Sequence, residues 1–153
     1  MTAPQFVTLA QSIAGLTITD GTKALTILEF GETPDAIDQR TCPVMFIDPE
    51  NTITNFQSVR TGMGPGSGDV HGYNYALNYF VAVVPVGSGR TEGEAKQKCA
   101  EWAQLIVNAI DEADSTLIAS NNVAADINVI GTITDPIGGV YHGLRVSVRV
   151  EEF

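Results

Sequence analysis

The stretch from Asp69 to Asp114 leaves the fewest choices open. It begins Val70-His71-Gly72-Tyr73-Asn74-Tyr75-Ala76-Leu77-Asn78-Tyr79-Phe80-Val81-Ala82-Val83-Val84, rich in the β-branched and aromatic side chains that suit a pleated surface. Pro85 and Gly87-Ser88-Gly89 stop this strand, since proline cannot donate to a ladder and glycine favours a turn. Thr91 followed three residues on by Glu94 is a capping box, whose side chains satisfy N–H groups that the first helical turn leaves unpaired. Ala95, Cys99, Trp102, Ile106, Ala109 and Ala113 then recur at steps of three or four, with Ala103, Leu105 and Ile110 widening the stripe. The pattern predicts a long helix laid on a sheet. Its other face carries Glu92, Lys96, Glu101, Gln104, Asn108 and Asp111, a solvated mixture with no pair of carboxylates aimed inward, so the unit reads as scaffold rather than active site.

The flanking segments add a short helix and further strands. Pro4 to Ala14 predicts a helix with Thr2 as a possible cap, Phe6, Leu9, Ala10 and Ile13 on one face, and Gly15 beyond its end. Such a helix is too short to stand alone and must dock. Asp20-Gly21 between the alternating runs Leu16–Thr19 and Ala24–Leu28 signals a hairpin. Glu29 to Arg40, with Pro34 and the Asp35-Ala36-Ile37-Asp38 bend, reads as an acidic surface connection. Cys42-Pro43 and Pro49 fence a strand from Val44 to Ile47. In Asn51–Arg60 the step from Phe56 to Val59 breaks the period of two and predicts a bulge. Gly62 to Gly68 holds four glycines in a segment expected to be mobile in a lone subunit and ordered by a neighbour, with Met63 as an adaptable apolar contact. A strand from Asp126 to Thr134, a turn at Asp135-Pro136 and Gly138-Gly139, and a last strand complete the chain. The expected fold is one α+β domain over residues 1–153: a mainly antiparallel sheet of four to five strands packed against the long helix and the short N-terminal one.

The last strand alternates cleanly, with Val140, Leu144, Val146, Val148 and Val150 on one face and Tyr141, Arg145, Ser147, Arg149 and Glu151 on the other. One side of the sheet is therefore expected to be core and the other polar. The long middle strand does not obey that division: its odd positions Tyr73, Tyr75, Leu77, Tyr79, Val81 and Val83 are apolar, and so are Ala76, Phe80, Ala82 and Val84 among the even ones. The reading that reconciles the two strands is that a second subunit or another partner covers the open side, with Tyr73, Tyr75, Leu77 and Tyr79, and Met63 and Pro65 from the glycine-rich loop, as the interface.

Charge and motif content narrow the chemistry. The chain has 153 residues, 44% of them apolar and only 17% charged, which is thin for a monomer's surface. Its net charge of −10, with eight Lys and Arg scattered along it, argues against gripping nucleic acid by its phosphates. Asp111-Glu112-Ala113-Asp114 spells a helicase signature, but it falls in a helix and no phosphate loop precedes it. These acids oppose the dipole at a helix end, so they are either solvated in the last turn or part of a functional acidic surface. The glycine-rich loop lacks the lysine and the following helix N-terminus of a phosphate cradle. His71 and His142 lack partners at metal-ligand or catalytic spacing, and Cys42 and Cys99 read as small buried hydrophobes. No enzyme activity and no cofactor is expected. The first residues show no secretory signal, and no stretch reaches the roughly 18 apolar residues of a membrane span, so a cytoplasmic place of synthesis and no membrane partner are expected.

The order of these elements resembles that of tail terminator, or tail completion, proteins of long-tailed bacteriophages. The resemblance lies in Pro34-Asp35-Ala36-Ile37-Asp38 leading to Cys42-Pro43-Val44-Met45-Phe46-Ile47-Asp48-Pro49, and in Leu77 to Pro85 leading to the helix. It implies a structural virion protein: a homo-oligomeric ring, usually a hexamer, that caps the tail tube, ends its elongation and joins the tail to head-completion or neck proteins. DNA would pass through the pore without tight binding, and Asp111, Glu112 and Asp114 would suit an acidic lumen. A neck or head-closure protein is the alternative within a virion; a small enzyme or a ligand-binding α+β domain is the alternative outside one.

Overall fold

A computed structural model describes residues 3–60, 70–113 and 122–152. In chain order the elements are α1 (Phe6–Ala14), β1 (Thr26–Ile27), β2 (Val44–Ile47), β3 (Ile53–Arg60), β4 (Val70–Pro85), α2 (Glu92–Glu112), β5 (Asn122–Thr134) and β6 (Val140–Glu152). The fold is α+β, with one sheet packed against a long and a short helix. The sheet has six strands rather than four to five, because Thr26-Ile27 continues past the Asp20-Gly21 hairpin and runs parallel to β2. That hairpin itself closes with a single bridge, Thr19 to Ala24. All other pairings are antiparallel.

The central strand β4 organises the sheet. Along one edge it pairs with β6 over most of its length, from Tyr73 opposite Glu152 to Pro85 opposite Tyr141. On its other edge β2 and β3 lie end to end, β2 beside Tyr79–Ala82 and β3 beside Val70–Leu77. Between them Asn78 holds the ladder together: Asp48 N–H donates to its carbonyl at 2.9 Å and its own N–H donates to the Thr52 carbonyl at 3.0 Å. Residues 49–51 loop out of the strand there, which is what Pro49 requires. The bulge expected in β3 falls between Thr54 and Gln57, with Asn55 at a φ of 56°. The order along the sheet is β1-β2-β4-β6-β5, so β5 forms an outer edge.

The odd-numbered face of β4 is not open. Tyr75, Leu77, Tyr79 and Val81 are buried in the main core with Leu144, Val146, Val148 and Val150 of β6, Ala95, Cys99, Trp102, Ile106 and Ile110 of α2, and Leu9, Ala10 and Ile13 of α1. The register explains it: Tyr75 lies opposite Val150, Leu77 opposite Val148 and Tyr79 opposite Val146, and cross-strand partners point to the same side of a sheet. The other face is not uniformly polar either. Phe46, Phe80, Ala82, Val44, Cys42, Ile133 and Tyr141 form a second, smaller core on which Leu28, just after β1, and Ile37 of the acidic connection pack. The double-sided apolar character of β4 is thus satisfied within one chain.

Two glycines in the β5–β6 ladder make a matched test. They lie opposite each other, yet a Cβ on Gly143 would come to 2.0 Å from the Val81 carbonyl oxygen, whereas one on Gly131 would meet nothing within 4 Å. Gly143→Ala should therefore lower the unfolding free energy by about 2 kcal/mol or more, because backbone must move to admit the methyl. Gly131→Ala should be neutral or slightly stabilising. Urea titration of both variants checks the contrast.

Candidate functional site

The side chains expected at an interface do not share one surface. Tyr75, Leu77 and Tyr79 lie beneath the helices, each at most 3% exposed, and no neighbouring subunit could touch them without unfolding this one. Burial alone pushes the Tyr79 phenol well above its usual range. Burial, followed by the Glu152 carboxylate, does the same for Tyr75. Met63 and Pro65 fall outside the described residues, as do the rest of the Gly62–Gly68 loop and Asp114. Tyr73 is half-buried and stays near the surface, its ring 5.4 Å from that of the exposed Phe56.

Tyr75 has a structural task instead. Its hydroxyl donates to the Glu152 carboxylate at 2.6 Å, and the same carboxylate accepts the Gln5 N–H at 2.9 and 3.2 Å. Thr2, expected to cap the first helix, lies outside the described residues; Glu152, from the other end of the chain, meets the helix start in its place. A carboxylate 3% exposed is tolerable only with such partners, and here they pin α1 to β6.

The surface that the sequence reading missed lies along the β5–β6 hairpin. Val129, Ile130, Ile137 and Val140 are between 41% and 47% exposed. β5 pairs with β6 alone among the described residues, so its outer row of backbone donors and acceptors meets no other strand there, although the Ala125 N–H reaches the Asp111 carboxylate. The available signal was the adjacent pair Val129-Ile130. Two consecutive large apolar residues in a strand cannot share a face, and a register shift between Ile127 and Val129 leaves both exposed.

Charge is divided between the two ends of α2. At its start Thr91 accepts the Glu94 N–H at 3.2 Å, completing the expected cap, and beside it lies a cleft of about 380 Å³. Lys23, Arg90, Lys98 and Asp20 contribute to the walls of the cleft, and Trp102 is among its lining. The Lys23 ammonium donates to the carbonyls of Gln39 and Cys42 at 3.1 and 3.4 Å, which leaves its charge uncompensated. Lys98 lies 3.6 Å from Asp20 and 3.4 Å from Glu101. The Asp20 carboxylate is held below its usual range, chiefly by N–H groups of Lys23 and Thr22. At the other end of α2, Asp111 and Glu112 are exposed, with no basic residue in the last turn. The Ala125 N–H of β5 reaches Asp111 at 3.4 Å, so these acids stand over the β5 side of the sheet.

Nucleophilic chemistry has little to work with at these places. Burial pushes the thiols of Cys42 and Cys99 up to about 11, far from the thiolate needed for attack at neutral pH. Among the described residues no group of three His, Cys, Asp or Glu side chains could hold a metal ion. His142 faces Thr132 at 3.3 Å and no carboxylate or thiol is hydrogen-bonded to it among the described residues. What the arrangement offers is contact area and opposite charges at opposite edges.

Burial separates two tyrosines that looked equivalent. Tyr79→Glu should unfold the subunit, costing about 4 kcal/mol or more because a carboxylate would be sealed in apolar surroundings. Tyr73→Glu, at the surface beside Phe56, should leave a folded protein. Circular dichroism and thermal melts distinguish them, and a folded Tyr79→Glu variant would contradict the placement of the core. No protein-family model and no curated protein matches the chain.

Proposed function

We propose that this chain is the subunit of a tail terminator ring of a long-tailed bacteriophage, a structural protein that caps the tail tube, stops its elongation and presents a docking face to the head or neck. The observation that carries the reading is the edge formed by β5. A strand of 13 residues whose outer backbone row meets no other strand among the described residues, flanked by Val129, Ile130, Ile137 and Val140, is a template for pairing that monomeric proteins ordinarily cover or blunt with charge. Closed symmetry turns such an edge into a defined assembly, because in a head-to-tail ring every subunit's open edge meets the opposite edge of the next.

The element order supports the same reading. A short docked helix, an acidic bend, a proline-fenced strand, a long central strand and a capped helix over a mainly antiparallel sheet follow one another as in the terminator family. The net charge of −10 suits a pore that duplex DNA must traverse without sticking. A hexamer, contacts to the tail tube protein and to a head-completion or neck protein, assembly in the host cytoplasm and a final place in the virion belong to this proposal. No helix of the described residues is long and apolar enough to cross a membrane.

Deleting the coding sequence from the phage genome tests the role. A terminator mutant should make overlong or irregular tails alongside separate, filled heads, and plasmid-borne protein should restore normal length. Tails of normal length that fail to join heads would replace this reading with that of a neck protein. Intact virions would remove it from the tail altogether.

A further inference from the structure

The cleft at the start of α2 is the one place where this acidic protein concentrates positive charge. Lys23, Arg90 and Lys98 are three of only eight Lys and Arg in the chain; Asp20 in the cleft wall and Glu101 beside it both pair with Lys98, which leaves Lys23 and Arg90 without a carboxylate partner among the described residues. Among the described residues Arg90 has no ion-pair or hydrogen-bond partner, and it is exposed. The mirror-image anomaly lies at the far end of the same helix. Asp111 and Glu112 crowd the negative pole of the dipole with no cation in the last turn, an arrangement that costs a few tenths of a kcal/mol per charge unless something outside compensates it.

Topology places the two on opposite edges of the sheet. The cleft includes Cys42 and Pro43, which lead into β2, and Lys23 of the hairpin before β1, while Asp111 is tied to Ala125 of the edge strand β5. With the order β1-β2-β4-β6-β5, one charged feature lies towards each end of the sheet, and the 21-residue helix between them spans about 30 Å. Copies carrying a charge of −10 repel one another in general, so a contact between them needs local complementarity.

We propose that the cleft lined by Lys23, Arg90 and Lys98 receives the acidic end of α2, Asp111 and Glu112, from a second copy of this chain, as the electrostatic lock of a head-to-tail contact. The inference rests on the ring reading and names the side chains that set its polarity. The contact is heterologous, each copy giving its acids to one neighbour and its cleft to the other, which is the arrangement that closes into a ring. A lock of this kind fixes the direction and register of assembly more than its strength, and it weakens as salt rises.

Charge reversal tests it, read by sedimentation velocity across a range of concentrations at low and physiological salt. Arg90→Glu and Glu112→Arg change exposed side chains, so each variant should keep the wild-type circular dichroism spectrum. Each alone should raise the concentration at which the ring dissociates by tenfold or more. The chain carrying both substitutions should recover most of that loss, because the swapped charges again face each other across the contact. If the wild type forms a ring and the single reversals leave its dissociation unchanged, or the combined chain stays as weak as either single variant, the lock is overturned while the ring survives. If inorganic phosphate titrated into the monomer shifts the Arg90 and Trp102 NMR signals while both reversals assemble normally, the cleft is a small-anion site and the lock is likewise overturned. A wild type that remains monomeric at every concentration overturns ring and lock together.

Discussion

The ladder between β4 and β6 is the constraint on which the rest of the molecule depends. Its register runs from Tyr73 and Glu152 at one end to Pro85 and Tyr141 at the other, and it decides at a stroke which side chains of both strands face the helices. A slip of one residue would turn one strand's apolar row away from the other's and expose either Tyr75, Leu77 and Tyr79 or Val146, Val148 and Val150, at about 1.5 to 3 kcal/mol for each side chain removed from the core. Gly143 sharpens the specification, since the ladder closes there so tightly that the Val81 carbonyl occupies the space of a methyl group. α2 and α1 then have a single apolar surface on which to lie.

The outer face is held by a different kind of interaction. Asp48, 1% exposed, accepts N–H groups from Glu50 and Asn51 and lies 3.3 Å from the Arg145 guanidinium, which sits 5.1 Å over the Phe80 ring. Asn78 donates to the Asn51 carbonyl and the Thr54 hydroxyl and accepts from Ser147. These bonds shape the 49–51 excursion and seal the boundary between the small second core and solvent. A buried carboxylate would be a liability on an open sheet; here its hydrogen bonds and its arginine satisfy it.

Elements with strong local signals were legible in the chain. The Thr91 cap of α2, the strand from Val44 to Ile47 between its prolines and the inward row of β6 from Leu144 to Val150 appear where periodicity and turn chemistry put them. β3 is bulged, but before Gln57 rather than between Phe56 and Val59, and Val140, expected on the inward row, is exposed. The facing of β4 was not legible, because a strand apolar on both sides has no phase of its own, and its phase comes only from pairing with β6. The second core has a related cause: Ile37 sits in a segment whose acidity and proline mark it as surface, yet with Leu28 at its edge it supplies the cover that Phe46, Phe80 and Tyr141 require. Glu152 at the start of α1 joins residues 147 apart in sequence, a distance over which no local pattern speaks. The proposed assembly surface accordingly lies not on the tyrosines of β4 but on the edge strand and the charged ends of α2.

A chain whose two cores are each covered from within has no need of a partner to fold, and what it leaves without a strand partner, among the described residues, is the outer row of β5. Hydrogen exchange along β5, followed by mass spectrometry at concentrations below and above assembly, tests that most directly. The account predicts that the outward amides among residues 126–133, those not donated to β6, exchange quickly in dilute protein and slow by at least tenfold as copies associate, while β4 is slow throughout. Equal exchange of β5 in both states, with other surfaces gaining the protection, would contradict it.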